Sequence, residues 1–285
     1  MYRRLLLAML IGLGGCAADH TNRTDQTHAS RQASASRHFT LMGDNPDPRD
    51  PAPVVQSVIC LEIYQLAVPA GAVSGNEEFW KQVNEQVVDV ATHDILYKNG
   101  MRVGEASNDQ WPFFKDFIEK NPALVRHSTM VAREASSIEL EMNKDLPFQN
   151  LFFFNADNLL QGRSFDRSDN LLTVSFQPAP RKPDTIRVSL CPVVRTWRRI
   201  LQYSVNNDER EIEYIRPERL YDLNLRADVA IDHFLLIAPS PEGRWPTSIG
   251  NAFLMRDGPA ERLEQLILLI PRLIPMEQTV SSTGS

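Results

Sequence analysis

The stretch Ile138-Glu139-Leu140-Glu141-Met142 alternates strictly, with Ile138, Leu140 and Met142 on one side and Glu139 and Glu141 on the other. A period of two belongs to a β-strand with one face buried and one in water. Outward from this stretch, short apolar runs of strand length recur at Leu151–Phe154, Gly162–Phe165, Leu171–Phe176, Thr185–Leu190, Leu201–Val205, Glu211–Ile215, Leu220–Ala227, Phe234–Ile237 and Leu266–Ile270. Turn chemistry separates many of them, as at Arg167-Ser168-Asp169-Asn170, between Pro178 and Pro183, and at Asn206-Asn207-Asp208. So many short strands with hardly a helical stripe predict a β-rich, antiparallel, sandwich-like region over residues 136–276.

The segment before it, residues 54–126, has a different texture. It opens with Val58-Ile59-Cys60-Leu61-Glu62-Ile63-Tyr64, a strand pattern in which Val55, Ile59, Leu61 and Ile63 share the apolar face. Ser74-Gly75-Asn76-Glu77 has capping-box spacing and precedes Phe79, Trp80, Val83 and Val87 at helical intervals. Val87, Ala91 and Ile95 keep that spacing, while Asn99-Gly100 between Ile95–Tyr97 and Met101–Val103 is also a hairpin signal; the reading favoured is a helix closed by Asn99-Gly100 in a left-handed cap, followed by a strand from Met101. A further helix is expected from about Gln110, with Pro112 in its first turn and Phe113, Phe114, Phe117 and Ile118 inward. It has to stop near Asn121, because Pro122 disfavours helix in the residue before it. The fold class expected is therefore α+β: a small N-terminal helix/strand unit followed by the sandwich-like region, with residues 277–285 as a disordered tail.

At the amino terminus Arg3 and Arg4 precede an apolar run from Leu5 to Leu13. The run is well short of the roughly 20 residues that cross a bilayer and fits the apolar core of a signal peptide. It ends in Leu13-Gly14-Gly15-Cys16, which resembles the lipobox of bacterial lipoproteins. The resemblance implies cleavage after residue 15, diacylglycerol on the Cys16 thiol, and residence on a membrane facing an extracytoplasmic compartment. Ala17 lacks an aspartate-type retention signal, so by the same resemblance the periplasmic face of an outer membrane is favoured in a two-membrane host. Two or three acyl chains, at about 0.8 kcal/mol per buried CH₂, make a lasting anchor. Residues 16–53, polar and then proline-rich, cannot bury enough apolar surface to order themselves and read as a disordered tether. Its reach is on the order of 35 Å.

The last fifty or so residues carry a second likeness. Phe234–Ile237, then Pro246-Thr247-Ser248-Ile249-Gly250-Asn251-Ala252-Phe253-Leu254, then Glu264–Arg272 resemble the closing pattern of secretins, the outer-membrane channels of secretion and pilus machines. The sequence departs from that pattern in having Ala238-Pro239-Ser240 where the family has a glycine turn, and one extra residue between Pro246 and Ile249. The likeness implies a β-domain of related shape.

The chain is 42% hydrophobic and 23% charged, the balance of an ordinary soluble globular body. Its formal net charge of −6 grows more negative by two when the leader with Arg3 and Arg4 is removed, which argues against nucleic acid or anionic lipid as the main ligand. Once Cys16 is lipidated, Cys60 and Cys191 remain either as a disulfide, which an oxidising compartment permits, or as two free thiols. No cofactor or metal is called for: His93, His127 and His233 stand apart from one another, and neither a His-x-x-x-His nor a Cys-x-x-Cys pair is present. Ser74 lacks the Gly-x-Ser-x-Gly elbow, and phosphate-binding glycine loops are absent.

One constellation points to recognition. Arg195, Trp197, Arg198 and Arg199 combine basic and aromatic side chains of the kind enriched at interfaces, and the alternative is a charged guard on an exposed strand edge. Two functions of different class are compatible with the sequence. One is a non-enzymatic adaptor or assembly module that binds an envelope protein in a secretion or other envelope complex. The other is a lipid-anchored enzyme or carbohydrate-binding protein whose site is assembled from scattered residues. The sequence leaves the oligomeric state open. Replacement of Cys16 by Ser is expected to leave a full-length precursor without acyl label, read by radiolabelled palmitate and gel mobility; normal processing with continued labelling refutes the anchor.

Overall fold

A computed structural model describes residues 56–121, 124–203 and 209–276. The expected signal peptide, Cys16 and the expected tether lie outside them, as do residues 277–285 and the expected turn at Asn206–Asp208. The described body is β1 (Gln56–Pro69), α1 (Glu77–Trp80), α2 (Val90–Lys98), β2 (Met101–Ser107), α3 (Trp111–Lys120), β3 (Leu124–Ala132), β4 (Ser136–Phe154), β5 (Leu160–Pro178), β6 (Thr185–Tyr203), β7 (Glu209–Arg219), β8 (Leu225–Ala230), β9 (His233–Pro239), α4 (Ile249–Leu254), β10 (Met255–Asp257) and β11 (Arg262–Met276). The fold is α+β and β-rich, with two antiparallel sheets.

The first sheet runs β2-β9-β11-β1-β3, with β10 also on β11; the second runs β4-β5-β6-β7, with β8 also on β6. The placement of β9 and β11 inside the first sheet explains the continuous apolar runs at Phe234–Ala238 and Leu266–Ile270. Leu235, Ile237, Ile267 and Leu269 pack toward the second sheet, while Phe234, Leu236, Leu266, Leu268 and Ile270 pack against Phe79, Trp80 and Phe114 of the helices. A strand buried on both faces has no polar side to show, so alternation disappears. The second sheet has one buried face and keeps it: Leu140, Met142, Leu172, Val174, Ile186, Val188 and Leu190 point inward.

Residues 54–126 and 136–276 share this architecture instead of dividing it. Strands β9 and β11, from the second segment, form the centre of the sheet that β1, β2 and β3 complete, and Pro53–Ser285 is one compact unit. Three strands of 19 residues replace most of the short runs expected, and Arg167–Asn170 is an irregularity inside β5 and not a turn. Strand β3, with Val131 exposed at a sheet edge, has no clear pattern of its own in the sequence.

Of the helices, α2 and α3 form as the spacing predicts. Asp89 caps α2 by accepting from the Thr92 amide at 2.9 Å, and Gly100 takes the left-handed conformation with φ +84°. In α3 Phe114 is buried but Phe113 is turned to the surface. The first helix is shorter than expected and its cap is Asn76, whose Oδ1 accepts from the Phe79 amide at 3.1 Å. Ser74 is spent elsewhere: its hydroxyl donates to the Glu264 carboxylate, which also accepts from the amides of Gly71 (2.6 Å), Val73 (3.0 Å) and Ser74 (3.0 Å). Glu264 is 1% exposed, so these four donors replace water around a buried charge and pin the loop after β1 onto β11.

A second pin joins the two sheets. The buried Asn99 side chain donates to the carbonyls of Ile95 (2.8 Å) and Phe154 (2.9 Å) and accepts from the Phe154 amide (2.8 Å), so the end of β4 is held at the start of β2. The Gly100 carbonyl accepts from the Ser240 amide at 2.9 Å, and the Gly250 amide donates to the Asn99 carbonyl at 2.8 Å. A Cβ on Gly250 would stand 1.9 Å from the Gly100 oxygen, with only backbone to move aside. Gly250→Ala is therefore expected to destabilise the body by about 3 kcal/mol or more in urea titration. Gly71→Ala, with φ +89° but open space around it, should lose about 1 kcal/mol.

Candidate functional site

The second sheet splits. Pairing of β5 with β6 ends at Ser168 opposite Thr196. Past that point β5 follows β4 down to Leu160 opposite Phe154, while β6 follows β7 to Tyr203 opposite Glu209. The cause is local. Strand β4 is bulged between Glu141 and Leu146 with Asp145 at φ 52°, and Arg167 in β5 stands at φ 28°. Bulges bend a strand and redirect the residues beyond the bend.

The bend is held by a buried polar network. Gln149 Nε2 donates to the Ser168 hydroxyl (2.7 Å) and to Asn170 Oδ1 (2.8 Å), and Asn170 Nδ2 donates to the carbonyl of Ala252 (2.9 Å). Asn143 Nδ2 donates to the same carbonyl and to that of Met255 (2.6 and 3.0 Å). These amides take up carbonyls that the short helix α4 leaves free at its end.

Between the two arms lies a cleft of 610 Å³ lined by Arg163, Ser164, Phe165, Asp166, Thr196, Trp197, Arg198 and Glu218. Arg163 reaches across it to Glu218, and Arg167 to Glu213 at 2.8 Å. Along β5 from Gln161 to Arg167 and along β6 beyond Thr196, the edges facing the fork belong to no ladder among the described residues.

The expected cluster therefore comes apart by role. Arg195 is not at a free edge: it is opposite Asp169 on one side and Pro217 on the other. Its guanidinium donates to Asp169 at 2.8 Å, and Glu139 and Glu141 stand 3.7 and 4.0 Å away. Asp169 is 3% exposed and its other oxygen accepts from the Asp145 amide at the bulge, so Arg195 neutralises a buried charge and secures the bend. Trp197 has the guanidinium groups of Arg167 (5.4 Å) and Arg195 (5.7 Å) over its ring, a cation–π arrangement that restrains the indole in the cleft lining. Arg198 is exposed on the cleft wall opposite Tyr214, and Arg199 lies in β6 opposite Glu213. Sequence reasoning misses Arg163, Arg167, Asp166 and Glu218, which come from strands whose bending no periodicity announces.

Cys60 and Cys191 are free thiols on different sheets, so the disulfide alternative is not realised. Burial pushes both thiols up; Glu62 adds to the rise at Cys60 against Arg272, and Arg219 opposes it at Cys191. Raised thiols are poor nucleophiles. Among the described residues no group of three His, Cys, Asp or Glu side chains is arranged to hold a metal ion.

Comparison with protein-family models, with curated proteins and with solved structures finds no match to this chain.

Removing Arg195 leaves Asp169 buried and unpaired, so Arg195→Ala is expected to destabilise the body by about 3–5 kcal/mol. Arg198→Ala, at an exposed wall, should stay within about 0.5 kcal/mol in the same denaturation series.

Proposed function

We propose that this chain is a lipid-anchored envelope protein on the extracytoplasmic side of a bacterial membrane, with the outer membrane favoured, acting as a non-enzymatic adaptor. The observation that carries the reading is the fork: two strand edges outside any ladder among the described residues face each other across a cleft walled by Arg163, Trp197 and Arg198. An extended segment of another envelope protein is the ligand such edges recognise. Main-chain hydrogen bonds supply the affinity, and alternate side chains meeting the two walls supply the choice of partner. Trp197 and the arginines are residue types that carry binding energy at interfaces. The lipobox at Leu13–Cys16 supports the location, and the likeness of Pro246–Leu254 and Glu264–Arg272 to the close of secretins supports a secretion or other envelope complex as the setting.

The test is photo-crosslinking in the native envelope with a benzophenone side chain at position 198, in a chain that keeps its leader. The expected result is a discrete adduct with one envelope protein, lost when Trp197→Ala is added while the melting temperature holds. No adduct at position 198, or an adduct indifferent to Trp197→Ala, overturns the fork as the adaptor site. Arg195 is left intact, since its loss would unfold the bend before it reported on recognition.

A further inference from the structure

We infer that the tip of the β4–β5 arm is a second contact surface, one that inserts into lipid. The tip carries apolar side chains where a water-facing hairpin would be polar: Leu159 is 62% exposed, Leu160 60%, and Phe152 46%. Trp245, 55% exposed, is on the segment that meets β4 beside the tip, where the Phe152 amide donates to the Thr247 carbonyl at 2.8 Å. Leu160 is opposite Phe154, and the Phe152 ring covers Gly162. Leucines and a tryptophan presented together are the side chains that settle at a membrane interface.

What favours lipid over a protein strand at this spot is the state of the backbone. The Asn155 side chain accepts from the amides of Asp157 (3.1 Å) and Leu159 (2.8 Å). The Asn155 amide donates to the Leu159 carbonyl, and the Asn158 amide to the Asn155 carbonyl. With these four amides satisfied internally the loop loses less on leaving water than an open turn would, since each unsatisfied amide adds a cost at the interface. The same closure leaves few donors for an added strand.

Charge is not the driver. Lys98 donates to Asn158 but is paired with Asp94 at 2.7 Å, Arg244 lies against Trp245 whose indole N–H donates to Glu242, and Asp157 is exposed. Binding is therefore expected on neutral lipid and to be nearly independent of salt.

Reach permits the contact. The register puts Pro239, and with it the tip, toward the Pro69 end of β1, while Gln56 starts the other end. The 14 residues of β1 span about 46 Å, and residues 17–55 stretched out would reach about 130 Å. A chain anchored at Cys16 is long enough to bring the tip to the bilayer. A weak contact is sufficient there, because tethering raises its effective concentration. The physiological use rests on the lipid-anchor reading; the insertion itself is a property of the folded body.

The experiment uses the chain from Ala17 to Ser285, without leader or lipid, which retains the compact unit from Pro53 onward. It is titrated with vesicles of phosphatidylcholine and of phosphatidylethanolamine with phosphatidylglycerol, containing brominated acyl chains. Tryptophan quenching and co-sedimentation are expected with both compositions, and Trp245→Phe should remove the quenching while leaving sedimentation nearly unchanged. Leu159→Ser with Leu160→Ser should weaken binding by a factor of about 30 or more with no change in melting temperature. Absence of vesicle binding, or equal binding by the double variant, overturns the inference, as does a double variant that keeps its lipid binding but loses its envelope crosslink. Acyl labelling at Cys16 is scored separately, so failure of the anchor and failure of the inserting tip are distinguishable.

Discussion

The rest of the body depends on a meeting of backbones. At Gly100, Gly243 and Gly250 three chain segments approach so closely that a Cβ on Gly100 would stand 2.7 Å from the Gly243 Cα, and one on Gly250 nearer still to the Gly100 oxygen. Only residues without side chains permit carbonyl and amide groups of separate segments to bond there directly. Asn99, one residue earlier, uses its amide as a strand would and holds both polar groups of Phe154. Through this knot the corner of the first sheet fixes where β4 ends, and hence where the β4–β5 arm can point. The apolar tip of that arm stands where the knot holds it.

Opposing physical demands meet in the second sheet. Its inner face has to continue the apolar core, yet Ser168, Asp169 and Asn170 are buried in the middle of β5. Polar residues survive burial only when their hydrogen bonds are made. Here the partners are Gln149, the carbonyls of α4, the Asp145 amide and the Arg195 guanidinium. At this network the pairing of β5 with β6 stops, at Ser168 opposite Thr196. The network gives up that pairing and fixes the split in its place, a use of buried polar groups for specificity of geometry more than for stability.

The same division between local and distant constraints explains why the sequence is legible only in part. Alternation at Ile138–Met142, the Asn99-Gly100 stop and Pro112 in a first turn are local signals, and each corresponds to what local chemistry enforces. The dry centre is visible as strand, but not Leu266–Ile270 as the partner of β1 or Phe234–Ala238 as the partner of β2, since pairing between segments so far apart in sequence is set by topology. Arg167–Asn170 misleads for a physical reason: residues that favour turns also tolerate a backbone outside the regular strand conformation, which Arg167 takes at φ 28° where β5 passes the bulge of β4. Ser74 misleads because capping-box spacing does not reveal a buried carboxylate arriving from Glu264. The site itself is half legible. Trp197 and Arg198 stand out by residue type as surface features, whereas residue type alone hides the buried partner of Arg195, Asp169.

The arms of the fork are bridged by side chains and not by a ladder, and the strength of those bridges matters for the proposed role. The contacts that cross the fork, Arg163 to Glu218 and Arg167 to Glu213, involve side chains between 32% and 55% exposed. Ion pairs so placed are worth about 0–1 kcal/mol each. They link the arms without closing a ladder, and on the proposed reading they are weak enough that an entering chain would replace them with main-chain bonds along the facing edges. The strong element, Arg195 on Asp169, sits at the vertex and is not exchanged. On the adaptor reading proposed above, a rigid vertex with weakly bridged arms would let a partner bind without refolding the sheet, so the ordering entropy would fall on the incoming segment alone.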